Sequence, residues 1–295
     1  MSSQKSRRIS SELYGEEREL KPALYVVPTP IGNIGDMTLR SIEVLQTADI
    51  IAAEDTRHSR MLLNHYEITT PVISFHEHSA ESAAMTLAER IVHGERIALI
   101  SDAGTPLVSD PGYQLVRAVQ SVDMPVVPLP GACAAMTALS AAGLPTHSFQ
   151  FVGFLPTKQR ARRTRLEALK SSESTIILYE APHRILDLLD DIEDMLGARR
   201  EVCIARELTK KFETIRRNTV ATIREWVRGD SNQQRGEFVV MIAPNKHRGE
   251  GVSDEAVKLL FALSDELPPR KATQIVADHY GLKSRDLYQM LINRE

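Results

Sequence analysis

Between residues 24 and 243 the chain alternates short unbroken apolar blocks with stretches whose apolar residues recur every three or four positions. An unbroken block bounded by turn residues is the pattern of a strand buried on both faces, and the wider spacing is that of an amphipathic helix. Leu24-Tyr25-Val26-Val27 is the first block, stopped by Pro28, Pro30 and Gly32. Asp36 is then expected to cap a helix carrying Leu39, Ile42 and Leu45 on one face. Strands are expected over 49–53 and 71–75, then a helix capped by Ser79 with Ala83, Leu87 and Ile91 inward. A strand over 96–100, a helix over 113–119 and a strand over 125–129 complete the series. Such alternation predicts a mostly parallel sheet with helices on both faces. A second series has strands over 149–154, 175–179, 201–205 and 238–243, with helices over 157–171, 182–196 and 220–227. Past residue 251 only helical spacing remains, over 254–264, 269–280 and 284–292, with Gly281 set between the last two as in a helix-turn-helix.

These changes of pattern divide the chain into a polar, flexible leader (1–22), an N-terminal α/β domain (23–135), a C-terminal α/β domain (136–246) and a helical module (252–295). The segment 244–251 has the Pro, Gly and charge content of a linker. A hydrophobic fraction of 42% over 295 residues excludes a largely disordered or fibrous chain. Against 36 Lys and Arg stand 39 Asp and Glu, so any nucleic-acid contact must rest on a local patch. Cys133 and Cys203 lie too far apart for a CxxC site and read as reduced thiols in a cytoplasmic setting. No apolar run reaches the roughly 20 residues that cross a bilayer; the Ala-rich 131–144 is interrupted by Thr137 and Ser140. The first 23 residues lack the apolar core of a secretory signal.

Four stretches carry candidate chemistry, each just beyond an expected strand, where open α/β sheets bind ligands. SDAGTPLVSDPG (101–112) brings small residues and two prolines to one loop, suited to holding a small molecule by main-chain groups. A tight turn with capping aspartates is its plain structural alternative. It has neither the GK[ST] ending nor the GxGxxG spacing of the nucleotide-phosphate loops. PLPGACAAMTALSAAGLP (128–145) turns at Pro130-Gly131 into a helix of small residues, which also serves close packing alone. PTPIGN (28–33) ends the first strand, and AEDTRHS (53–59) places Glu54, Asp55, Arg57 and His58 after the second, where a surface ion cluster is the alternative. His76 and His78 are two apart without a convincing third ligand, so no metal is expected.

In order, VPTPIGN, AEDTRHS, FHEHS, SDAGTPLVSDPG, PLPGACAAMTALSAAGLP, VGFLP, YEAPHRI, ARELTKKFET and GEFVVMI resemble the tetrapyrrole (corrin/porphyrin) methylase superfamily. AEDTRHS and SDAGTPLVSDPG are similar to its ribosomal RNA branch, which 2′-O-methylates a cytidine of 16S rRNA, rather than to the tetrapyrrole or diphthine-synthase branches. The resemblance runs from about Leu24 to the C-terminus. It implies a two-domain α/β fold with S-adenosylmethionine in the cleft between domains, a homodimer, and small-subunit rRNA as partner. It also implies cofactor contacts at Pro30 and Ile31, at Ser101, Asp102, Ala103, Gly104, Thr105 and Val108, and at Ala132, Cys133 and Ala134. Tyr179 and Glu180 follow by position, and Leu208 and Phe238 by a looser match.

Methyl transfer to a hydroxyl needs that hydroxyl's proton removed or shared, so a carboxylate or imidazole is sought near it. Asp102, Asp55, Glu54, Glu180 and His183 are the candidates; Asp102 and Asp55 are preferred, with Arg57 orienting a phosphate. For RNA, Lys158, Arg160, Arg162, Arg163, Arg165 and Lys170 stand against Glu167 alone in one helix, whose alternative is a merely solvated face. A second basic cluster holds Arg206, Lys210, Lys211, Arg216 and Arg217. In the helical module, Arg270, Lys271, Lys283 and Arg285 would form the contacting face. Two rivals remain. A tetrapyrrole or protein side-chain methylase has no use for a basic helix and tail, and a non-enzymatic nucleic-acid regulator leaves the loops without a purpose.

Overall fold

Five short apolar strands build the first sheet: β1 (Ala23–Val26), β2 (Ile50–Ala53), β3 (Val72–Ser74), β4 (Arg96–Ile100) and β5 (Val126–Pro128). They lie in the order β3-β2-β4-β1-β5 with every pair parallel. In this computed structural model the described residues are 20–76, 81–110, 112–245, 254–280 and 282–292. Most of the leader, Ser79, His78, Gly281 and most of the linker therefore lie outside the described residues.

Parallel strands need crossovers, and four helices supply them: α1 (Leu39–Thr47), α2 (Thr56–His65), α3 (Glu81–Val92) and α4 (Tyr113–Ser121). Side-chain alternation sorts the two faces. Tyr25, Val27, Ala98 and Ile100 pack with Val44, Leu45 and Leu63 on one face. Leu24, Ile97 and Leu99 pack with Ala84, Leu87, Ile91, Leu115 and Val119 on the other. Two expectations change here. The first helix is capped by Thr38, whose hydroxyl accepts the Ser41 N–H, while Asp36 sits in a preceding 3-10 turn. Helix α2 is an addition to the expected elements; the Asp55 carboxylate starts it by accepting the N–H groups of Arg57 and His58.

The second sheet comprises β6 (Phe149–Phe154), β7 (Thr175–Glu180), β8 (Glu201–Arg206), β9 (Thr214–Thr219) and β10 (Phe238–Ile242) in the order β6-β7-β10-β8-β9. Only β6 and β7 run parallel; the other pairs are antiparallel, unlike the all-parallel first sheet. Strand β9 escapes the apolar pattern because TIRRNT has no apolar run, which an edge strand does not need. Helices α5 (Ala134–Ala141), α6 (Gln159–Leu169), α7 (Ile185–Leu196) and α8 (Val220–Gly229) cover the sheet. Three of them, α6, α7 and α8, bury Leu166, Leu188, Leu189, Ile192 and Ile223 against one face. The other face receives the small residues of α5: Ala135, Ala138 and Leu139.

Helices α9 (Asp254–Glu266), α10 (Pro269–Tyr280) and α11 (Ser284–Ile292) have a small core of their own, built from Ala256, Leu260, Ala272, Val276, Ala277 and Leu287. Ile275, on the outer side of that core, is 40% exposed.

Candidate functional site

The chain leaves β1 towards α1 on one face of the first sheet and leaves adjacent β4 towards α4 on the other. That divergence opens a crevice at the carboxyl ends of the two strands. Its loops are tied together by backbone and small side chains. Thr29 and Gly104 exchange both N–H···O bonds, at 2.9 and 3.0 Å. The Thr29 hydroxyl donates to Ser101 O at 3.1 Å, and that of Thr105 to Ala132 O at 2.8 Å. Gly104 has φ +85, a left-handed conformation that disfavours any Cβ. At Gly131 the approach is steric: a Cβ there would stand 2.5 Å from the Cβ of Pro28.

The opposite wall comes from the second sheet. Ile31, Cys133 and Ala134 pack with Phe151, Tyr179, Leu208 and Val239 in one cluster, joining both halves of the molecule. The Tyr179 hydroxyl accepts the Ala135 N–H at 3.1 Å, and its ring meets Phe151 and Phe154 edge-on, with centroids 5.0 and 5.7 Å away. Burial, with Cys133 beside it, pushes the Tyr179 phenol up to about 12. Ser101 is 3% exposed, and its hydroxyl oxygen has no hydrogen-bond partner. On β6, a Cβ at Gly153 would come 3.1 Å from the Ser109 hydroxyl, so the strand closes over the β4 loop. Apolar side chains and close backbone at these strand ends, with one buried hydroxyl unsatisfied, suit a small molecule having an apolar body and polar ends.

The structure brings together Pro30, Ile31, Ser101 to Thr105, Ala132 to Ala134, Tyr179 and Leu208, with Val108 in the same loop. It does not bring Glu180 or Phe238. These two are cross-strand partners, so their side chains share a face, and Phe238 is buried in the core on the far side from Tyr179 and Val239. Glu180 is held there by Arg184 at 3.1 Å and the Ala181 N–H at 2.8 Å; burial still raises its carboxyl above the usual range. A one-residue step along a strand reverses the face, and spacing alone does not reveal which parity meets the cleft.

Among the proton-acceptor candidates, Asp55 caps a helix: the Arg57 and His58 N–H groups hold its carboxyl below the ordinary range. Asp102 Oδ1 accepts the Asp55 N–H at 3.2 Å, linking the β2 and β4 loops. Arg57 reaches into solvent, as a phosphate contact requires, with 92% of its side chain exposed.

The basic helix is corrected more sharply. Arg162 is 2% exposed, and its Nε lies 2.6 Å from Asp191, a carboxylate that is itself fully buried. Arg163 pairs with the same Asp191 and with Asp194, each at 2.6 Å. Lys158, Arg160 and Arg165 remain exposed. In the second cluster Lys210 bridges Glu207 and Glu237 at 2.9 Å and packs under Gly32, leaving Lys211 exposed. Apart from Glu207, three residues before Lys210, these partners are supplied by other elements, and charge along the sequence does not reveal them. Phe151 and Phe154 at the cleft also escape sequence reasoning. Their motifs are visible in the chain, but only the fold shows that VGFLP closes over SDPG.

Among the described residues no three His, Cys, Asp or Glu side chains form a metal-ligand group, and no helix is long and apolar enough to cross a membrane.

Residues 23–224 match the family model for tetrapyrrole (corrin/porphyrin) methylases, and residues 250–295 match that of the RsmI C-terminal HTH domain. The chain is 48% identical to the ribosomal RNA small subunit methyltransferase I of Haemophilus influenzae, over 92% of this chain and 96% of the relative. The Pseudomonas aeruginosa protein of the same name is 47% identical over 92% of this chain and 97% of its own length. Among solved structures, a diphthine synthase superposes with a TM-score of 0.58 at 13% identity, covering 75% of this chain and 90% of that one. The methyltransferase CobJ gives 0.55 at 18% identity, covering 75% and 94%. At these identities the likeness is one of fold.

Proposed function

Because the chain belongs to the ribosomal RNA small subunit methyltransferase I family, within the tetrapyrrole (corrin/porphyrin) methylases, we propose that it methylates the 2′-hydroxyl of a cytidine in 16S rRNA. The observation that carries the chemistry is the cleft between the two sheets, where backbone and small residues of three strand-end loops face Tyr179 and Leu208. S-adenosylmethionine, when bound there, supplies an electrophilic methyl group and a neutral leaving group, so positioning provides much of the acceleration. Ile31, Ala134 and Leu208 offer apolar contact, and the unsatisfied Ser101 hydroxyl offers a polar one. Phe154, 55% exposed and edge-on to Tyr179, presents an aromatic face at the mouth for an unstacked base. Asp102 organises the loops, and Arg57 reaches for a phosphate. The protein acts as a homodimer in the cytoplasm, where its substrate resides.

Incubation with labelled S-adenosylmethionine and small subunits, naked 16S rRNA or no RNA tests this directly. Label should enter the ribose of one cytidine and persist in the presence of EDTA. Label in a tetrapyrrole or protein, or none with any RNA, would end the rRNA reading.

The RNA path runs past the exposed cations of α6. Arg160→Glu with Arg165→Glu should lower the log–log salt slope of RNA binding by about 0.7–0.9 for each phosphate that is no longer neutralised. S-adenosylmethionine affinity should stay constant, since neither side chain reaches the cleft. An unchanged slope in filter binding would turn attention to Lys211 and Arg57. Removal of residues 252–295 should leave the main body folded, because α9 to α11 enclose their own core, and should weaken RNA binding more than cofactor binding. Circular dichroism and cofactor titration check the first point, and RNA titration the second.

A further inference from the structure

The loop 207–213 between β8 and β9 touches both halves of the molecule. At one end Leu208 packs into the cleft cluster with Ile31. In its middle the Lys210 ammonium bridges Glu207 and Glu237 at 2.9 Å each, and a Cβ at Gly32 of the β1 loop would stand 2.5 Å from Lys210 Cγ. At the other end Phe212 reaches into solvent. It is 64% exposed, the most exposed Phe, Tyr or Trp ring among the described residues. A single exposed apolar side chain is ordinary on a protein surface. Two observations set Phe212 apart. The exposed Lys211 holds its Nζ over the ring, 5.6 Å from the centroid. The backbone beneath the ring is fixed from several sides. Buried Arg206 donates through Nη2 to Phe212 O and through Nη1 to Arg235 O, each at 3.1 Å. The Thr214 hydroxyl donates to the same Phe212 O at 3.2 Å. The Glu213 carboxylate turns back to accept the Thr209 N–H at 2.6 Å, away from the cation beside the ring. Glu207 and Thr209 adopt φ +52 and +64 without being glycine, a cost that persists where the surroundings over-determine a functional geometry.

We propose that Phe212 and Lys211 form a second stacking site for the rRNA strand, taking the base and the phosphate of a nucleotide that flanks the target cytidine. The inference rests on the rRNA 2′-O-methyltransferase reading above and extends it to a surface outside the cleft. A nucleotide whose ribose enters the cleft leaves its stack, and the neighbouring base loses a partner. An exposed aromatic ring replaces that partner, because every base has a π-face, and a cation beside the ring neutralises the backbone. Phe212 lies four residues from Leu208, which packs in the cleft, so their Cα atoms are at most about 14 Å apart. Turns closed by the Lys210 N–H on Glu207 O and the Glu213 N–H on Lys210 O shorten that span. A loop held this firmly loses little further freedom when a base settles on it. Lys211 favours RNA over an apolar protein face as the occupant. Such a face would strip water from the ammonium without supplying an anion, whereas a phosphate pairs with it.

The test compares wild type, Phe212→Ala, Phe212→Tyr and Lys211→Gln in binding naked 16S rRNA and small subunits across salt, with S-adenosylhomocysteine affinity and oligomeric state measured alongside. Phe212→Ala should raise the RNA dissociation constant roughly 5- to 150-fold, the loss of one base stack, and leave the salt slope unchanged because no charge is removed. Lys211→Gln should instead lower the slope by about 0.7–0.9. Phe212→Tyr keeps the ring and should bind as wild type does. Cofactor affinity and the urea midpoint should stay constant in Phe212→Ala, since the ring is exposed and the carbonyl that Arg206 holds remains. Phe212→Trp reports contact directly: its emission, added to that of Trp226, the one Trp of the chain, should be quenched when RNA binds. Wild-type RNA affinity in Phe212→Ala overturns the proposal. An equal loss of cofactor affinity also overturns it and makes the ring structural, and dissociation of a dimer in sedimentation assigns the ring to a second copy of the chain. If wild type itself neither binds nor methylates small-subunit RNA, the functional reading fails first and takes the proposal with it. Failure of Phe212 alone leaves wild-type methylation standing.

Discussion

Asp191→Ala should cost about 3–5 kcal/mol of stability, the loss expected when one partner of a buried ion pair is removed and the other stays buried. Asp191 is fully buried and receives the Arg162 Nε at 2.6 Å, the Arg163 Nε at 2.6 Å and the Gln159 amide at 3.2 Å. Among the described residues, the one hydrogen bond then left to the Arg162 guanidinium, 3% exposed, is a long one to Thr157 O at 3.4 Å. The cost is one of stranded charge, not of forfeited packing, and a double replacement separates the two. Arg162→Met with Asp191→Leu removes both charges at similar volume and should recover most of the loss. Urea denaturation of the single and double variants checks this; equal destabilisation of both would show that the pair contributes through shape alone. Arg165→Glu, on the exposed side of the same helix, should leave the urea midpoint unchanged.

The contrast between Arg162 and Arg165 marks where reading a sequence stops. Both belong to one basic run, and the three- to four-residue spacing of Arg162 with Leu166 and Leu169 by itself places Arg162 on the inward face. A count of charges points the other way, and the partner that resolves the conflict lies on α7, 29 positions away. Strand positions are legible because burial on both faces leaves unbroken apolar blocks. Sheet parity is not, so Tyr179 and Leu208 fall in the cleft while Glu180 and Phe238 turn away from it. Edge strand β9 carries no apolar signature, and α2 is fixed largely by its Asp55 cap. The loops of the site are visible from their small residues and prolines, which mark close backbone approach. Which of their aspartates is free to accept a proton depends on hydrogen bonds made across the fold.

Gly104→Val should abolish or strongly weaken cofactor binding while leaving the protein folded, and its cause lies within the loop itself. Valine at φ +85 is strained before any neighbour is considered, by about 1–3 kcal/mol for a non-glycine residue in this region. Its Cβ would also stand 3.3 Å from Ile31 Cγ2 and 3.8 Å from Ala132 O, tightening the contact among the three loops that form the crevice. Relief requires the backbone to move, and both Gly104 hydrogen bonds to Thr29 hold it in place. Those bonds would stretch or break, each worth about 1 kcal/mol. If the loop reaches the same bound geometry only after repaying that strain, the dissociation constant should rise roughly 10- to more than 100-fold. Gly94→Val is the matched control: φ is +104, yet nothing lies within 4 Å of its Cβ, and it sits at the opposite end of β4. It should lower stability and spare affinity. Calorimetric titration with S-adenosylhomocysteine separates the outcomes. Unchanged affinity in a folded Gly104→Val protein would remove this loop from the cofactor site, whereas parallel losses in both variants would trace the effect to general destabilisation.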